Sequence, residues 1–547
     1  MTEPNLFIIA NLVADRARTN PDFTALTFES NGDLETRTYR QLWENGQRIA
    51  VALRARGMNK GDRFALLMLN HPEFVETMIA SAIVGTVFVP IDPRARESKL
   101  AFMLENSGCR GVICGDYALQ GLLEAAVKAP SVKWAYLLGS KPAPTGPGST
   151  ISVYLLRDVL AARMPEPLLE VAVQDPQEPM QVMYTSGTTG DPKGIVVPHQ
   201  RFGAVSNHGE AVFGYRSDDR PYTGLSLTHG NAQFVTLAPS LKMGLPAVIS
   251  RKFSKSRLWA IVRQHGCTTF ALLGGMVTAI YSEPERPDDA DNPVRLVISA
   301  GMPAAIWEDF GRRFGVEIFE FYGAVEGGMT FKRPGEGPIG SCGRPAPGLV
   351  AKVVDENGRE VPRGASGELW FRLESGPFPA VAYLGNAEAS VRKTAGGWLR
   401  SGDIVHMEAD GWVFFEHRAG GGIRRNGEFV SPALIEKVLA EHPDIDDVFV
   451  YGIANSSGAP GEKDVVAAVV LKQDAALEVQ SLSAWLRARL EPGSIPDFIQ
   501  RVAEIPKTAS EKPQERFLVD HYRNQPETIM DLRAGAKGSQ ISQERAS

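Results

Sequence analysis

Continuous apolar stretches alternate with amphipathic helical patterns from Thr38 to about Tyr322. Thr38 is suited to cap a helix and Gly57 to end it, and residues 63–69 then read as an apolar strand. Further apolar strands are predicted at 247–251, 268–273, 296–300 and 317–321. Apolar strands separated by amphipathic helices indicate mainly parallel sheets that are covered by helices on both faces.

The pattern changes near Gly337. From there to residue 416, short strands meet at turns such as Asn357-Gly358 and Asp410-Gly411, which are typical of β-hairpins. Three consecutive glycines at 420–422 follow, and glycine is the residue that best tolerates large backbone rotations. The last stretch, 524–547, is polar and without periodicity, which is typical of a flexible tail.

These patterns together predict an α/β fold in more than one domain, since 547 residues exceed what a single core usually holds. The large N-terminal domain is expected at 1–419, with two mainly parallel α/β sheets and a small β-rich subdomain at about 337–416. A small, mobile α+β C-terminal domain is expected at 420–523, followed by the tail at 524–547.

Charge and hydrophobicity argue against a nucleic-acid partner, a membrane span and a signal peptide. The net charge is −6, and no basic run or domain stands out, which argues against a nucleic-acid partner. The longest near-apolar run, 78–91, is broken by Gly85 and Pro90 and is too short to span a bilayer. The apolar patch at 6–10 lacks the positive residues of a signal peptide. We therefore expect a cytoplasmic protein without integral membrane association, and a homodimer is compatible with the sequence.

The four cysteines are scattered, and no pair of them has the neighbouring Cys or His residues of a zinc site. We expect reduced thiols at all four positions, as is usual in the cytosol. They are Cys109, Cys114, Cys267 and Cys342.

Residues 183–194 contain the strongest chemical signal. Hydroxyls, glycines and a lysine are concentrated between two short strand patterns at 181–184 and 194–198. Glycines allow backbone N–H groups to converge on an anion, and hydroxyls and lysine add donors and positive charge, so the loop is suited to a polyphosphate. It lacks the spacing of a Walker A loop, and the alternative is a plain polar hairpin. The residues are Thr185, Ser186, Gly187, Thr188, Thr189, Gly190 and Lys193.

The same loop resembles the signature loop of the AMP-forming adenylating enzymes, which include acyl-CoA synthetases, peptide-synthetase adenylation domains and luciferases. Further motifs follow in the order of that family, and the resemblance extends from about Leu6 to about Tyr522. It implies that a carboxylate attacks the α-phosphate of ATP to give an acyl-adenylate, with Mg²⁺ bound, and that a thiol then displaces AMP. With coenzyme A as acceptor, the activity is that of an acid–CoA ligase.

The resemblance also implies roles for individual residues in the nucleotide site. Residues 185–193 would hold the β- and γ-phosphates, with Thr185 among the catalytic residues. The segment 299–303 is similar to the adenine-binding segment and contributes Ala300, Gly301 and Met302. Alone, this segment is as compatible with an ordinary strand-to-helix turn.

Three further motifs complete the implied nucleotide site. The sequence Tyr322-Gly323-Ala-Val-Glu326 resembles the family motif in which the tyrosine stacks on adenine and the glutamate binds Mg²⁺. Asp403, in Ser-Gly-Asp, matches the aspartate that binds the ribose, and Arg418 matches an arginine that reaches the nucleotide. A carboxylate suits the ribose role of Asp403, since it can accept from two hydroxyls, and the Mg²⁺ role of Glu326, since it binds hard cations.

Other motifs resemble the parts that serve the two half-reactions. Lys512, in Pro-Lys-Thr-Ala-Ser-Glu-Lys, would bridge the carboxylate and the α-phosphate during adenylation. Arg424 and Gly427 resemble the face that approaches the site for thioester formation. His229, in Thr-His-Gly, resembles the gate beside the acyl group, although a loop histidine without such a role is the alternative.

Three positions depart from the family pattern: Val325 replaces a threonine, Gly420 replaces the usual Lys or Asp at the hinge, and Glu511 replaces a glycine. Valine cannot donate to the adenylate phosphate, and a hydrogen bond to a charged group contributes about 1.5–3 kcal/mol. A nucleotide-binding homologue with reduced catalysis is therefore one alternative. A stand-alone enzyme that loads a carrier protein is another.

The acyl pocket is expected at 273–276 and 327–329, where paired glycines would leave space for a bulky or branched acid rather than acetate. Carnitine-like, bile-acid-like and aryl acids stay open. The end of the chain near Lys512 is similar to the crotonobetaine/carnitine-CoA ligase branch.

Overall fold

The computed structural model describes residues 4–95, 97–139, 151–185, 192–418, 423–425, 428–430, 432–454, 463–473, 475–490, 494–508, 511 and 513–533. Within them, two large sheets, a smaller antiparallel sheet and a C-terminal α+β unit follow one another along the chain. This confirms the predicted fold class. The predicted boundaries at 419/420 and 523/524 stay predictions, and the first falls outside the described residues. Within the stretch predicted as a flexible tail, however, Ile529–Asp531 forms a strand of the C-terminal sheet.

The first large sheet has nine strands, and its six central strands are mutually parallel. Three of the predicted strands lie side by side in it, which brings their carboxyl ends to one edge. In spatial order the strands are Arg344–Pro345, Gly327–Lys332, Glu317–Ala324, Leu296–Ala300, Thr269–Leu273, Pro221–Thr223, Ala247–Ser250, Thr24–Ser30 and Asp33–Thr38.

The second large sheet has eight strands, six of them parallel. At one edge, an antiparallel pair flanks the predicted phosphate loop, and a two-residue strand from much later in the chain adds to it. In spatial order the strands are Ala382–Tyr383, Lys193–Pro198, Pro179–Thr185, Val87–Pro90, Arg63–Leu67, Gly111–Gly115, Trp134–Leu138 and Ser152–Leu155.

The helix Pro72–Val84 is buried along its whole length and contacts strands of both large sheets. The run 78–91 is thus a core helix that leads into the strand Val87–Pro90, as predicted. The preceding helix, Tyr39–Ala55, begins with a capping box in which the Thr38 hydroxyl accepts from the N–H of Gln41. Gly57 follows its end with φ of +73°, as the pattern predicted.

The β-rich region contains a four-stranded antiparallel sheet. Its strands are Leu349–Val354, Gly367–Leu373, Leu399–Met407 and Val413–Arg418. The predicted turns are present, with Gly358 at φ +76° and Gly411 at φ +90°. Arg344–Pro345 and Ala382–Tyr383 pair with the two large sheets, so this region is joined to both.

The C-terminal unit contains a hairpin and a four-stranded sheet. Its own hydrophobic core lies between that sheet and two helices. The strands are Ile423–Arg425, Glu428–Val430, Ile445–Ala454, Lys463–Leu471, Phe498–Arg501 and Ile529–Asp531.

Helices pack against both large sheets and against the sheet of the C-terminal unit. The helix after the strand Ala247–Ser250 is Leu258–His265. The others are Ile9–Thr19, Glu97–Asn106, Leu119–Ala126, Leu156–Leu160, His199–Ser206, His208–Ala211, Ala238–Met243, Gly274–Tyr281, Trp307–Phe314, Ala387–Lys393, Pro432–Ala440, Val479–Arg487 and Glu515–Asn524, with a π-helix at Ala232–Leu237.

All four cysteines are free and buried, in agreement with the sequence prediction. Among the residues that the structure describes, no helix combines the length and the apolar character needed to cross a membrane.

Candidate active site

Tyr322 and Asp403 form the centre of the predicted nucleotide site. Tyr322 lies near the end of the strand Glu317–Ala324, and its hydroxyl donates to Asp403 Oδ2 at 2.5 Å. The Tyr322 ring stacks on Phe371, with centroids 6.3 Å apart and an interplanar angle of 16°. Tyr322 and Asp403, 81 positions apart in sequence, are therefore brought together by the contact between the nine-stranded sheet and the β-rich sheet.

Asp403 is held from three sides. Its backbone N–H donates to the Ser401 hydroxyl at 3.0 Å, and Arg418, its partner across the antiparallel strand pair, places Nε 3.8 Å from Oδ1. Burial raises the pKa of Asp403, against the opposing effects of the Tyr322 hydrogen bond and the Arg418 charge. The carboxylate is thus fixed in orientation before any hydroxyl of a ligand approaches it.

Glu326 lies in the turn that follows the same strand. Its side chain is 7% exposed, and Oε1 accepts from the Tyr383 hydroxyl at 2.9 Å and lies 3.7 Å from Lys393 Nζ. Within the described residues no group of three or more His, Cys, Asp or Glu side chains could hold a metal ion. Glu326 fits the predicted Mg²⁺ role as a single carboxylate ligand, because Mg²⁺ commonly takes one or two protein carboxylates and completes its shell with phosphates and water.

The two ends of the predicted phosphate loop are paired with each other, and the Lys193 end lies near Tyr383. Thr185 and Lys193 are paired across the antiparallel strands, and the Thr185 hydroxyl lies 3.5 Å from the Lys193 carbonyl oxygen. Lys193 Nζ is 5.9 Å from the ring centroid of Tyr383, the residue that holds Glu326. Tyr383 therefore connects the Lys193 end of the predicted loop to Glu326. The predicted residues Ser186, Gly187, Thr188, Thr189 and Gly190 lie outside the described residues.

The predicted adenine segment is fixed by a residue that the sequence analysis missed. The fully buried Glu320 accepts from the N–H of Gly301 at 2.6 Å with Oε1 and from the N–H of Met302 at 3.1 Å with Oε2. Gly301 has φ of +100°, and a Cβ atom on Gly274 would lie only 2.7 Å from its carbonyl oxygen. The segment from Ala300 to Met302 therefore has one tightly determined conformation.

A signal for Glu320 exists in the sequence. It is a carboxylate among the buried apolar residues Ile318 and Phe319, two positions before Tyr322, and buried carboxylates need partners. Burial raises the pKa of Glu320 to about 7, although the two backbone donors oppose that shift.

The predicted gate lies against Val325. A Cβ atom on Gly230 would be 3.3 Å from Val325 Cγ2, and His229 Nδ1 accepts from the N–H of Asn231 at 3.2 Å. The π-helix Ala232–Leu237 follows directly, a geometry that is frequent at functional sites. The valine that replaces the family threonine is thus a contact of the gate.

The glycines expected to open the acyl pocket have another role, and the prediction is corrected here. Gly327 and Gly328 have positive φ, and a Cβ atom on either would lie 2.5–2.6 Å from the rings of Phe378 and Phe371. Gly274 is required by its contact with Gly301. Of the four, only Gly275 has room, because its nearest neighbour is the carbonyl oxygen of Glu511 at 3.8 Å.

The proximity of Gly275 to Glu511 places residue 511, which precedes Lys512 in sequence, near the adenine segment. Glu511 has φ of +59°, a conformation in which the family glycine is easily accommodated. Burial raises the pKa of Glu511, against the charges of Lys507 and Arg94. The neighbouring lysine, Lys512, lies outside the described residues.

An ion pair also joins the N-terminal part of the chain to the C-terminal unit. Lys255 Nζ lies 3.1 Å from Glu283 and 3.6 Å from Asp446 Oδ2, which belongs to the strand Ile445–Ala454. The next residue, Asp447, holds Lys507 at 2.5 Å at the base of the Lys512 loop.

The remaining predicted residues have simpler outcomes. Gly323 is exposed and pairs with Met329. The backbone of Arg424 pairs with Phe429, and nothing is described of its side chain. Gly420 and Gly427 lie outside the described residues.

Comparison with known proteins identifies the class to which this site belongs. The model of the AMP-binding enzyme family matches residues 13–383, and that of the AMP-binding enzyme C-terminal domain matches residues 434–512. The chain therefore belongs to the AMP-binding enzyme family, and the resemblance found in the motifs is confirmed.

Individual relatives are named as CoA ligases. The chain is 31% identical to a medium/long-chain-fatty-acid–CoA ligase, FadD17, of Mycobacterium marinum. The 480 aligned residues cover 87% of this chain and 89% of that protein. The chain is 28% identical over 507 residues to the crotonobetaine/carnitine–CoA ligase of Salmonella paratyphi A, covering 91% and 96%.

Solved structures have the same fold. A benzoate CoA ligase from Burkholderia xenovorans LB400 is 26% identical with a TM-score of 0.78, covering 93% of this chain and 99% of that one. The anthranilate CoA ligase AuaEII, in complex with anthranoyl-AMP, is 24% identical with a TM-score of 0.81, covering 94% and 97%.

Proposed function

We propose that the pocket formed by Tyr322, Asp403, Arg418 and Glu326 binds ATP while a carboxylic acid enters beside the gate at His229. The chain is an ATP-dependent acid–CoA ligase of the AMP-forming type. One acid carboxylate oxygen forms a bond to the α-phosphorus, and pyrophosphate leaves. The thiol of coenzyme A then forms the thioester, and AMP leaves with the electron pair of the broken acyl–phosphate bond.

The observation that carries the residue roles is the pair of carboxylates, each held by a tyrosine hydroxyl. Asp403, oriented by Tyr322, accepts from the ribose hydroxyls. Glu326, oriented by Tyr383, faces the polyphosphate, where Mg²⁺ supplies charge neutralisation when bound. Orientation of charged groups before the ligand arrives is the main contribution that a protein makes to such a transfer.

The two half-reactions use different parts of the C-terminal unit in this proposal. Lys512 reaches the acid and the α-phosphate during adenylation, which the position of Glu511 beside Gly275 supports. Arg424 and Gly427 approach for thioester formation after the unit rotates at Gly420.

The acid is proposed to have an apolar body larger than acetate. The support for an apolar acid is the apolar character of the residues around the gate, where Val325 and Phe234 would lie 3.3–3.4 Å from a Cβ atom on Gly230. The names of two relatives point to a medium- or long-chain fatty acid and to crotonobetaine or carnitine. An apolar contact surface favours the first.

A panel of acids tests this proposal. Octanoate, benzoate, carnitine and acetate are each incubated with ATP, Mg²⁺ and coenzyme A, with thioester detected by mass spectrometry and pyrophosphate release measured in parallel. We expect octanoate or benzoate to give the highest kcat/KM. Preference for acetate or carnitine would contradict the apolar pocket, and pyrophosphate release without thioester would favour a carrier protein as acceptor.

We also propose a cytoplasmic location, small-molecule substrates without a nucleic-acid partner, and a homodimer as the oligomeric state to test. Four buried, free cysteines and a net charge of −6 support the first two proposals. Light scattering of the purified chain tests the third.

A further inference from the structure

A lysine outside all of the predicted motifs lies against the proposed nucleotide site. Lys393 ends the helix Ala387–Lys393, and its side chain is only 14% exposed. Its ammonium group donates to the Ser401 carbonyl oxygen at 3.2 Å, and Nζ lies 3.7 Å from Glu326 Oε1. The helix therefore directs a largely buried cation toward the carboxylate to which we assign the Mg²⁺ role.

The same ammonium group is also close to Asp403. Ser401, whose carbonyl oxygen it contacts, precedes Asp403 by two residues in the strand Leu399–Met407. Burial raises the pKa of Asp403, and the charge of Lys393 is one of the effects that oppose this rise. Lys393 is thus within electrostatic reach of both carboxylates of the site.

The hydrogen-bond donors of Lys393 are incompletely used. An ammonium group has three N–H donors, and among the described residues only the Ser401 carbonyl oxygen accepts from one of them. The distance of 3.7 Å to Glu326 exceeds the roughly 2.7–2.9 Å of a charge-assisted hydrogen bond, and that oxygen already accepts from Tyr383. Two donors therefore stay available for an anionic ligand.

The place of this cation beside both carboxylates corresponds to one phosphate of ATP. In the proposed function, on which this inference rests, Asp403 binds the ribose and Glu326 faces the β- and γ-phosphates. The α-phosphate is bonded to both of these parts of ATP, so it lies between them. A cation within reach of both carboxylates is therefore positioned for the α-phosphate.

We propose that Lys393 is a second catalytic lysine, which contacts the α-phosphate in both half-reactions. It belongs to the N-terminal part of the chain with Asp403 and Glu326, whereas Lys512 belongs to the C-terminal unit that we propose to rotate. During adenylation, Lys393 donates to a non-bridging oxygen of the α-phosphate while the acid oxygen bonds to phosphorus and pyrophosphate leaves. During thioester formation it donates to the phosphate of the departing AMP. No bond to the lysine nitrogen forms or breaks, because its contribution is charge and hydrogen bonding.

Equilibrium binding of AMP and of adenosine to the full chain tests the phosphate contact, without Mg²⁺, acid or coenzyme A. The two ligands differ only in the phosphate, so calorimetry with each of them isolates its contribution. For Lys393→Met we expect the affinity for AMP to fall about tenfold or more, because a charge-assisted hydrogen bond is lost, and the affinity for adenosine to stay at the parent value. Equal AMP affinities of parent and variant would overturn the proposal.

Two further variants keep this test decisive. Lys393→Gln removes the charge but keeps a donor for Ser401, and it should lose AMP affinity in the same way even if Lys393→Met does not fold. Arg392→Met is the matched control, because it removes a cation from the adjacent position of the same helix, where the side chain is 63% exposed and paired with Glu388. This control should bind both ligands as the parent does. An equal loss of AMP and adenosine affinity in the Lys393 variants would show a structural role and contradict the proposal.

An indirect effect of Lys393→Met on AMP binding would arise if it only left the charge of Glu326 uncompensated. The Glu326→Gln background separates this effect from a direct contact. If Lys393 contacts the phosphate, Lys393→Met weakens AMP binding in this background too. If the lysine only neutralises Glu326, the effect disappears there and the proposal fails.

The two half-reactions distinguish Lys393 from Lys512. Lys393→Met should slow pyrophosphate release and thioester formation from supplied acyl-adenylate by about tenfold or more each, whereas Lys512→Ala should slow only the first. Loss of adenylation alone would place Lys393 at the departing pyrophosphate and contradict the α-phosphate contact. A parent chain that forms thioester but is insensitive to Lys393→Met refutes only this inference. A parent that forms no thioester with any acid refutes the proposed function, while AMP and adenosine binding still decide the phosphate contact.

Discussion

Replacement of Glu320 by glutamine tests whether this buried carboxylate positions the adenine segment. The parent side chain accepts from two backbone N–H groups, those of Gly301 and Met302, with two equivalent oxygens. Glutamine has one oxygen, and its NH₂ group would face the second N–H. One hydrogen bond to a charged group is therefore lost, which corresponds to about 1.5–3 kcal/mol.

That magnitude predicts the kinetic effect. Each 1.4 kcal/mol is a factor of ten in affinity, so we expect KM for ATP to rise by roughly 10- to 100-fold. Glu320 does not contact the reacting atoms in this assignment, so kcat should fall much less. The measurement is pyrophosphate release at varied ATP, with the best acid of the panel at saturation.

The pH dependence supplies a second readout. Burial raises the pKa of Glu320 to about 7, and only the ionised form offers both oxygens as acceptors. For the parent, kcat/KM for ATP should therefore rise through about pH 7, and this rise should be absent in the glutamine variant. The stability of the fold has the opposite pH dependence. The native state binds this proton more tightly than the unfolded chain, in which the pKa of the carboxyl is near 4.5. The free energy of unfolding therefore falls as pH rises from about 4.5 to about 7.

Glu317→Gln is the control, because Glu317 is exposed at the start of the same strand. It should match the parent in both measurements. If Glu320→Gln also keeps the parent KM for ATP and the parent pH profile, the carboxylate has only a structural role and does not position the adenine segment for ATP.

Three further predictions concern the two half-reactions. Val325→Thr should raise kcat for adenylation by up to about tenfold if the new hydroxyl reaches the phosphate, and a fall in rate would mean that the gate requires the methyl group. Lys512→Ala should nearly abolish pyrophosphate release but spare thioester formation from supplied acyl-adenylate; equal loss of both would contradict its assignment. Asp446→Asn should slow adenylation only slightly, because its ion pair with Lys255 is partly exposed and such pairs contribute about 0–1 kcal/mol. Rapid-quench assays of the two half-reactions measure all three effects, and a large loss in Asp446→Asn would show that this ion pair dominates the domain arrangement.

The motifs predicted several of the residues that lie close together. Tyr322, Asp403 and Arg418 come together as expected, and so do Lys193 and Glu326 through Tyr383. Asp403 and Arg418 meet because they are opposite each other in an antiparallel strand pair, and Tyr322 reaches them where the nine-stranded sheet contacts the β-rich sheet.

The parts that could not be predicted depend on contacts between distant segments. Glu320 holds a segment that lies on another strand, and nothing in the local pattern states which N–H groups it meets. Likewise, Gly327 and Gly328 look like spacers in sequence, but the rings that exclude a side chain there belong to Phe378 and Phe371. A glycine pair alone does not distinguish an open pocket from close packing.

The burial of all four cysteines has a chemical consequence for an enzyme that makes a mixed anhydride. An acyl-adenylate acylates any thiolate within reach, including one on the protein itself. Burial raises the pKa of Cys109, Cys114, Cys267 and Cys342 to about 12 each, and the thiolate, not the thiol, is the nucleophile. At neutral pH the protein therefore presents no competing sulfur nucleophile of its own, and the thiol that intercepts the activated acid is the one delivered by coenzyme A.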